Sequence, residues 1–442
     1  MKEMTLRRAA VLGGVRTPFC RAHTAFAELT NLDMLTTALT GLSERFSLEG
    51  LHIDEVVGGA VVTHAKDWNL AREAVIGSPL AATTPGITMM QACGTSLQGA
   101  LGLAAKIASG QIECGIAMGT DTTSDAPIVL QKKFAKRLIE ASRAKSWSER
   151  LSAFKGMSPG ELAPVPPDTR EPRTGLGMGE HCELMAKEWN ISREEQDLLA
   201  YESHMKAAAA YNDGFMDDLV VPCAGVFRDN NIREDISLEK MAELKPVFDK
   251  KNGTITAANS TPLTDGAATV LFASEEWAVF KGIPIQAYLT LGRTSAVDYV
   301  EGEGLLMAPT VAVSELLQQA GLALQDFDHY EVHEAFAAQV LATLMAWESA
   351  DYCRARLARE DPLGSIDRSK LNVQGSSIAI GHPFAATGAR ILAVLAKLLH
   401  NGGGKRGLIS VCTAGGMGVA AILEGVEKSQ QADAVLDEGA NQ

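Results

Sequence analysis

The sequence has no pair of closely spaced cysteines. Its 442 residues include seven cysteines, an odd number that lie far apart and form no C-x-x-C pair. Disulfide scaffolds and zinc ribbons both depend on regular cysteine spacing, so the pattern indicates neither and favours a reducing compartment. We therefore expect neither a disulfide framework nor a bound metal.

Long apolar runs and an excess of positive charge are also missing. No window approaches the roughly 18 uninterrupted apolar residues that a membrane-spanning helix needs. The start, MKEMTLRRAAVLGGVRTPF, lacks the apolar core of a signal peptide. We therefore expect a cytoplasmic protein that is not integral to a bilayer. The formal net charge of −14 argues against a nucleic-acid partner, because phosphate binding needs clustered Lys and Arg.

Short apolar runs alternate with helical patterns over two long stretches of the chain. A content of 46% hydrophobic residues and 41 glycines is typical of a compact protein with many tight strand-helix turns. The first stretch covers about the first 130 residues, and the second runs from about 287 to 425. The alternation predicts the α/β class, with two similar doubly wound units facing each other.

A segment of different composition separates the two stretches. It has a basic run, the proline cluster PVPPDTREPR and long polar helices, which indicate an inserted subdomain that is mostly irregular and helical. Within it, Ser192 and Glu195 fit a capping box that starts a helix near Arg193. We predict an N-terminal domain at 1–129 with 252–276 and an inserted loop domain at 130–251. A C-terminal domain at 277–428 and a disordered tail at 429–442 follow.

Cys93 is the first candidate for chemistry. It follows the apolar stretch TPGITMMQA and precedes a long helical pattern rich in Ala, Leu and Gly. A thiol at a helix N-terminus is expected to have a lowered pKa, and the thiolate is the nucleophilic form. A small buried core cysteine would give the same local pattern, so both interpretations stay open.

Two turns near the C-terminus carry further candidates. In GHPFAATG, His382 is held between glycine and proline, which suits an exposed catalytic base, although a loop histidine satisfied by backbone bonds is the plainer alternative. Cys412 ends an apolar strand just before the turn TAGGMG, whose N–H groups suit an oxyanion hole. Strand packing at a sharp turn would equally explain that cysteine.

A second histidine ends another strand-like run. In HYEVHEAFAAQ, His333 and Glu334 stand just before a helical pattern. His333 could donate a hydrogen bond to a developing oxyanion, whereas a buried His-Glu pair that anchors the helix is the alternative. Four strand-end positions bearing Cys, His, His and Cys are together more specific than any one of them.

At this point the sequence resembles the thiolase family. The resemblance extends over nearly the whole chain, through RTPF, the segment around Cys93, MGEHCELMAKEWNISREEQD, TAANSTPLTDGAA, HEAFA, GHPFAATGAR and CTAGGMG. It implies the thiolase fold, two α/β domains in αβαβα layering with an inserted loop domain. It also implies an acyltransferase that uses coenzyme A as a substrate and needs no cofactor.

The resemblance further implies a role for each candidate. Cys93 is the acylated nucleophile, and His382 activates it and helps to stabilise the thioester oxygen. Cys412 is the second acid and base, and His333 belongs to the first oxyanion hole. The second oxyanion hole consists of the backbone N–H groups of Cys93 and Ala414.

Three other positions match the substrate-binding part of the family pattern. Met178 corresponds to a residue lining the acyl and pantetheine tunnel, and we also assign Phe336 of HEAFA to substrate binding. Thr261 stands in AANSTPLTDG, where the family usually has smaller residues beside the pantetheine. That departure makes its contact with coenzyme A an open point.

HEAFA resembles the thiolase subunits of fatty-acid β-oxidation complexes more than biosynthetic thiolases, which usually carry Asn instead of His333. The expected activity is therefore thiolysis of 3-ketoacyl-CoA to acetyl-CoA and a shortened acyl-CoA. A short-chain acetoacetyl-CoA thiolase is the nearest alternative, and a non-catalytic thiolase-like lipid carrier or a scaffold subunit are others. A condensing synthase is disfavoured because such enzymes lack the second cysteine.

The resemblance also suggests partners. We expect a homo-oligomer, a dimer or tetramer, that could dock a hydratase/dehydrogenase α subunit. Residues 131–155 are basic, with apolar residues at near-helical spacing. A solvated face is the plain explanation; docking of a partner subunit, contact with a membrane surface, or attraction of the CoA phosphates are the alternatives.

Overall fold

Ten strands form one mixed sheet in the computed structural model, which describes residues 6–426. The sheet order is β4-β3-β5-β6-β1-β7-β10-β9-β8, and β2 pairs beside β6. The strands are β1 Ala9–Arg16, β2 Cys20–Arg21, β3 Glu55–Gly59, β4 Gly86–Thr88, β5 Cys114–Asp121, β6 Thr264–Ser274, β7 Ala287–Ala296, β8 His329–Val332, β9 Arg406–Thr413 and β10 Met417–Gly425.

Fourteen helices cover this sheet or extend from it within the described residues. They are α1 Asn31–Phe46, α2 Leu70–Gly77, α3 Thr95–Ala108, α4 Lys132–Arg143, α5 Trp147–Ser152, α6 Met178–Glu188, α7 Arg193–Asn212, α8 Leu238–Ala242, α9 Glu275–Lys281, α10 Ala308–Ala320, α11 Ala337–Glu348, α12 Ala350–Arg356, α13 Ser377–Ile380 and α14 Thr387–Gly402. Over the described part of the chain, none of these helices is long and apolar enough to cross a membrane.

The two halves of the sheet repeat one pairing pattern. In the first half, β6 pairs antiparallel with both β1 and β5, and β5 pairs parallel with β3. In the second half, β10 pairs antiparallel with both β7 and β9, and β9 pairs parallel with β8. A short antiparallel pairing of β1 with β7 joins the halves. The prediction of two similar α/β units is confirmed.

Three layers of helices enclose the two halves. The core clusters put α1 and α2 on the outer face of the first half and α10 and α11 on the outer face of the second. Helices α3 and α14 pack against each other and against strands of both halves. This is the predicted αβαβα layering. Helix α3 begins two residues after Cys93 and helix α14 five residues after His382, so one buried layer holds the turns of both candidate residues.

The segment between β5 and β6 contributes α4 to α8 and, although all of it is described, no strand of the sheet. Helix α7 begins with the predicted capping box: Ser192 Oγ accepts from the backbone N–H of Glu195, and the Glu195 carboxylate accepts from the backbone N–H of Ser192. Helices α6 and α7 pack on α11 and α13, whereas α4 and α5 contain no buried residue. The domain boundaries at 129, 251 and 276 stay a prediction, and the predicted tail 429–442 lies outside the described residues.

Candidate functional site

Cys93 lies on a strained turn between β4 and α3. Ala92 before it has φ 45°, a left-handed conformation that a residue with a Cβ adopts reluctantly. Gly94 after it packs so tightly that an added Cβ would lie 2.8 Å from Val419 Cγ2 of the C-terminal half. The turn therefore presents the thiol at the boundary between the two halves, where it is 8% exposed.

The expectation of a lowered pKa for this thiol is wrong for the free protein. Burial, together with a smaller contribution from the nearby Asp121 carboxylate, raises the pKa of Cys93 to about 12. The backbone N–H groups of Ala414 and of Cys93 itself donate to the sulfur and lower the pKa, but they do not offset the loss of solvent. Cys93 therefore rests as a neutral thiol and needs a base at the moment it reacts.

His382 supplies a base at the right distance. Its Nε2 lies 3.1 Å from Cys93 Sγ, and its Nδ1 lies 2.6 Å from Thr387 Oγ1 at the start of α14. Its backbone N–H donates to Thr264 Oγ1 at 2.7 Å. Burial, with Arg390 nearby, lowers the pKa of His382 to about 3. The imidazole is therefore neutral near pH 7 and can accept the proton of the thiol.

The glycine before His382 explains why the turn folds as it does. Gly381 has φ +115°, a conformation that other residues rarely adopt, and an added Cβ would lie 2.8 Å from Thr264 Cγ2. Asp121, at the end of β5, accepts from the backbone N–H of Ala385 at 2.8 Å and from two N–H groups of the loop after β3. Both contacts hold the His382 turn against the N-terminal half.

His333 is the third side chain at the sulfur. It follows β8, and its backbone N–H donates to Ser410 O at 2.8 Å. Its ring centroid lies 4.1 Å from that of His382, and its Nδ1 lies 2.8 Å from Ser377 Oγ. Its Nε2 is buried and finds no hydrogen-bond partner among residues 6–426. Burial lowers the pKa of His333, so this ring is also neutral.

Glu334, the neighbour of His333, has a different surrounding. Its carboxylate accepts from Ser203 Oγ of α7 and Asn372 Nδ2, both at 2.7 Å, and from the backbone N–H of Ile378 in α13. The alternative interpretation, a buried pair that anchors helices, therefore describes Glu334, whereas His333 lies beside the nucleophile.

Cys412 lies at the end of β9, 1% exposed. Burial raises its pKa well above the ordinary value, and a charge on the nearby Cys93 would raise it further. The turn that follows has Gly415 and Gly416 at φ +77° and +70°, and it directs the Ala414 N–H to the Cys93 sulfur. The predicted pair of backbone donors thus meets at the nucleophile.

Glu171 was not among the residues predicted from the sequence. Its buried carboxylate accepts from the Gly415 N–H at 2.9 Å and from Tyr299 Oη–H at 3.3 Å. It comes from the inserted segment, 244 residues before Gly415 in the chain. No local motif marks it, because an isolated glutamate in a proline-rich loop reads as a solvated residue.

The three predicted substrate-binding residues belong to, or contact, the apolar cluster that contains Cys412. Met178 begins α6 and packs on the core cluster that contains Cys412 and Phe336. Thr261 donates through both its backbone N–H and its hydroxyl to Ala335 O, one residue before Phe336. The hydroxyl of Thr261 is thus already engaged by the chain.

Phe248 is a second residue that the sequence analysis missed. Its ring lies over Gly179, where an added Cβ would come within 1.9 Å of Phe248 Cζ, and it meets the ring of Phe336 edge-on at 6.1 Å between centroids. It is 38% exposed. An apolar, partly open surface therefore adjoins the predicted substrate residues.

The side chains of Cys93, His333 and His382 are the place where a metal could bind. One ligand atom each from Cys93, His333 and His382 lies within 4.8 Å of the other two, the one such group found in residues 6–426. The direct approach of His382 Nε2 to Cys93 Sγ already accounts for this proximity as a base-nucleophile pair. The absence of a catalytic metal stays a prediction.

A nucleophilic thiol, a neutral base, a second thiol and converging N–H donors can together carry a covalent acyl transfer. Comparison with known proteins agrees with this arrangement. Residues 9–276 match the family model "Thiolase, N-terminal domain", and residues 285–425 match "Thiolase, C-terminal domain". The chain belongs to the thiolase family.

Named relatives of this thiolase chain span almost its whole length. The 3-ketoacyl-CoA thiolase of Shewanella baltica strain OS185 is 43% identical over 423 residues, which is 94% of this chain and 97% of the relative. The 3-ketoacyl-CoA thiolase of Shewanella piezotolerans is 42% identical over the same shares.

Two crystal structures resemble the chain, each with a TM-score of 0.79 and covering 96% of this chain and 100% of the other. They are the acetyl-CoA acetyltransferase of Bacillus anthracis, 29% identical, and human mitochondrial 3-ketoacyl-CoA thiolase, 28% identical. The predicted thiolase fold and acyltransferase class are therefore confirmed.

Proposed function

We propose that the chain is a 3-ketoacyl-CoA thiolase that cleaves 3-ketoacyl-CoA with CoA, giving acetyl-CoA and a shortened acyl-CoA in fatty-acid β-oxidation. The observation that carries the proposal is the 3.1 Å approach of His382 Nε2 to Cys93 Sγ, with two backbone N–H groups directed to the same sulfur. The named relatives, at 42–43% identity over nearly full length, support the same activity.

In the first half-reaction, Cys93 Sγ attacks the 3-keto carbon while its proton passes to His382 Nε2. The bond between the second and third carbons of the substrate then breaks. Its electron pair forms the enolate of acetyl-CoA, which takes a proton from Cys412 and leaves. The shortened acyl group stays on Cys93 as a thioester, and Cys412 remains as a thiolate.

In the second half-reaction, the Cys412 thiolate takes the proton of the incoming CoA thiol. The CoA sulfur attacks the thioester carbon, and acyl-CoA leaves as the Cys93 sulfur takes back the proton held by His382. Both cysteines and the histidine return to their starting states. The high pKa values that burial gives to both thiols support proton transfer in concert with attack, since neither thiol ionises alone near neutral pH.

Charge develops on two different oxygens in this sequence, so two sets of donors are needed. We assign His333 and His382 to one oxygen and the N–H groups of Cys93 and Ala414 to the other. The N–H groups already converge on the resting sulfur, which supports their assignment. Water is largely excluded here, so each donor acts with little competition.

We assign Met178, Thr261 and Phe336 to the binding of the acyl chain and the pantetheine, with Phe248 added to them. Met178 packs on the apolar cluster that contains Phe336 and Cys412, and the ring of Phe248 meets that of Phe336 edge-on. CoA is a substrate in this proposal, which includes no cofactor or metal. It places the enzyme in the cytoplasm.

The experiment is CoA-dependent cleavage of 3-ketoacyl-CoA substrates from four to sixteen carbons, followed by loss of the 3-ketoacyl-CoA absorbance, with Cys93→Ala as the blank. Activity that persists at long chains is expected. Activity confined to acetoacetyl-CoA would favour the second candidate, an acetyl-CoA acetyltransferase, which the likeness to the Bacillus anthracis enzyme supports. Binding without turnover would make the chain a lipid carrier.

We propose a homo-oligomer that assembles through strand β4. This strand is one of the two edge strands of the described sheet; its own Ile87 is 45% exposed, and Met90, two residues after the strand, is 63% exposed. An exposed apolar edge strand favours pairing with another chain. Light scattering after gel filtration should give a dimer or tetramer, and Ile87→Lys should lower the mass. A monomeric wild type would contradict the proposal.

We propose that α4 and α5 contact a partner surface, either an anionic membrane or a hydratase/dehydrogenase α subunit. Helix α4 has several basic residues and no buried side chain, and Ile139, Trp147 and Leu151 are at least half exposed. The protein should sediment with vesicles of phosphatidylglycerol but not of phosphatidylcholine if the surface is lipid. Binding to neither vesicle, with co-purification of an α subunit, would favour the subunit.

A further inference from the structure

A chain of hydrogen bonds stands behind His333. Arg390, on α14 and 1% exposed, donates from Nη2 to Ser377 Oγ at 2.8 Å, and the same oxygen lies 2.8 Å from His333 Nδ1. Both Nη atoms of Arg390 also lie 3.3 Å from Ser376 Oγ. Ser376 has no contact of this kind with His333 among the described hydrogen bonds.

The direction of each hydrogen bond follows from what the groups can do. A guanidinium only donates, and the pKa of Arg390, which burial lowers to about 10, keeps it charged near pH 7. Ser377 Oγ must therefore accept from Arg390. Its own hydrogen has one acceptor among the described residues, His333 Nδ1.

His333 Nε2 has no hydrogen-bond partner among the described residues in either tautomer, but the opposite arrangement would leave a second buried group unpaired. If His333 carried its proton on Nδ1, Ser377 Oγ would accept twice and its O–H would have no acceptor. Ser377 is fully buried, so water would not replace that acceptor cheaply. The neutral ring therefore carries its proton on Nε2, the buried nitrogen without a partner.

We infer that Ser377 and Arg390 are positioning residues that hold His333 in its Nε2–H tautomer, so that it serves only as a hydrogen-bond donor to a substrate oxygen beside Cys93. The inference rests on the proposed thiolysis for its functional meaning. Its structural content, the tautomer, does not depend on turnover.

His382 must hold the opposite tautomer. Its Nε2 faces the thiol of Cys93, so it accepts there, and its Nδ1–H donates to Thr387 Oγ1. Two neutral imidazoles 4.1 Å apart thus present different groups to one sulfur. His333, bonded to Ser377, is the hydrogen-bond donor through Nε2, and His382, bonded to Thr387, is the base through Nε2.

The first test measures steady-state kinetics of Ser377→Ala, with Ser376→Ala as the matched control on the adjacent residue. Without the Ser377 hydroxyl, His333 is free to populate both tautomers. We expect kcat to fall about 10-fold with KM nearly unchanged, since an oxyanion donor acts in the transition state. Ser376→Ala should stay within about 2-fold of wild type. Equal effects of the two substitutions would overturn the inference.

The second test reads the tautomer without turnover. In protein labelled with ¹⁵N-histidine, the His333 signals, assigned by their loss in His333→Asn, should show a protonated Nε2 and an unprotonated Nδ1. Ser377→Ala should shift both signals towards an average, and Ser376→Ala should not. A protonated Nδ1 in wild type would overturn the inference even if thiolysis is normal.

The double variant separates positioning from packing. Asn at 333 offers an amide donor that has no tautomers, so adding Ser377→Ala to His333→Asn should change kcat by less than about 2-fold. A further 10-fold loss in that background would mean that the hydroxyl acts through loop packing. If wild type shows no thiolysis with any chain length while the ¹⁵N pattern holds, the proposed function fails and the tautomer assignment stands.

Discussion

Glu171 offers a test of how the inserted segment reaches the site. Its carboxylate accepts from the Gly415 N–H at 2.9 Å, and Gly415 follows Ala414, whose N–H points to the Cys93 sulfur. Replacing Glu171 by Ala removes the acceptor and leaves a buried N–H unpaired. The turn can then satisfy that N–H only by shifting, and such a shift moves the neighbouring Ala414 donor.

The magnitude follows from two bounds. A hydrogen bond to a charged group contributes about 1.5–3 kcal/mol, and loss of one oxyanion donor costs about 2.7–4 kcal/mol of transition-state stabilisation. Glu171 acts on the Ala414 N–H only through the turn. We therefore expect Glu171→Ala to cost about half of the transition-state stabilisation that one oxyanion donor provides, roughly 1.5 kcal/mol. That corresponds to about a 10-fold lower kcat. Glu171→Gln keeps an acceptor of the same shape, so it should lose about 3-fold or less.

The assay is steady-state thiolysis together with the rate of Cys93 acylation in the absence of CoA. The matched control is Tyr299→Phe, which removes the other partner of Glu171 and leaves the bond to Gly415. It should keep kcat within about 2-fold. Equal losses of kcat in Tyr299→Phe and Glu171→Ala would refute the link between the Glu171 carboxylate and the turn that carries the Ala414 N–H. A wild-type kcat in Glu171→Ala would refute it as well.

Three further outcomes are expected. Cys93→Ser should abolish turnover, by about 10³-fold or more, and appreciable residual activity would remove Cys93 as nucleophile. Cys412→Ser should slow CoA exchange more than acylation; equal rates to wild type in both half-reactions would end its role as proton carrier. Burial lowers the pKa of His204 to about 4, so the free energy of unfolding should fall as pH drops from about 6.5 towards 4, by up to about 3 kcal/mol. His204→Asn should flatten that dependence in urea titrations, and an unchanged slope would contradict it.

The sign of the His204 effect follows from its surroundings. The folded protein favours the neutral ring because the side chain is buried and Arg233 and Arg21 lie nearby. The unfolded chain takes up a proton near pH 6.5, whereas the folded chain resists it until about pH 4. Protonation of His204 therefore favours unfolding between about pH 6.5 and pH 4. Above about pH 6.5 the ring is neutral in both states, so His204 adds no pH dependence to the free energy of unfolding there.

Local patterns in the sequence singled out four side chains that lie near one another in the structure. Cys93, His382, Cys412 and His333 each stand at a turn between an apolar run and a helix or glycine turn, and such turns gather at one edge of an α/β layer. The same alternation predicted two similar units, but it did not predict their strand order. The common location of the four side chains at one sulfur, however, depends on the packing of the two halves, which brings together Cys93 and His382, 289 residues apart in the sequence.

The pKa of Cys93 shows why the rest was not predictable. A helix N-terminus is visible in a short window of sequence, so a lowered pKa was the natural expectation. Burial is set by distant elements, including Val419 and the turn at Ala414, and it has the larger effect. The same holds for Glu171, whose function depends on a contact that no local window contains.

The roles of the two histidines also depend on contacts that are distant in the sequence. In the sequence, the Gly-His-Pro turn suggested a base at His382 and the strand end suggested a donor at His333, but neither pattern shows which ring nitrogen carries the proton. Their roles differ because each Nδ1 meets a different hydroxyl: Thr387 is free to accept from His382, whereas Arg390 already uses an acceptor site of Ser377. A buried arginine on the central helix thereby decides which nitrogen of His333 bears the proton. The chemistry of the site is thus specified as much by the layer behind it as by the residues that face the substrate.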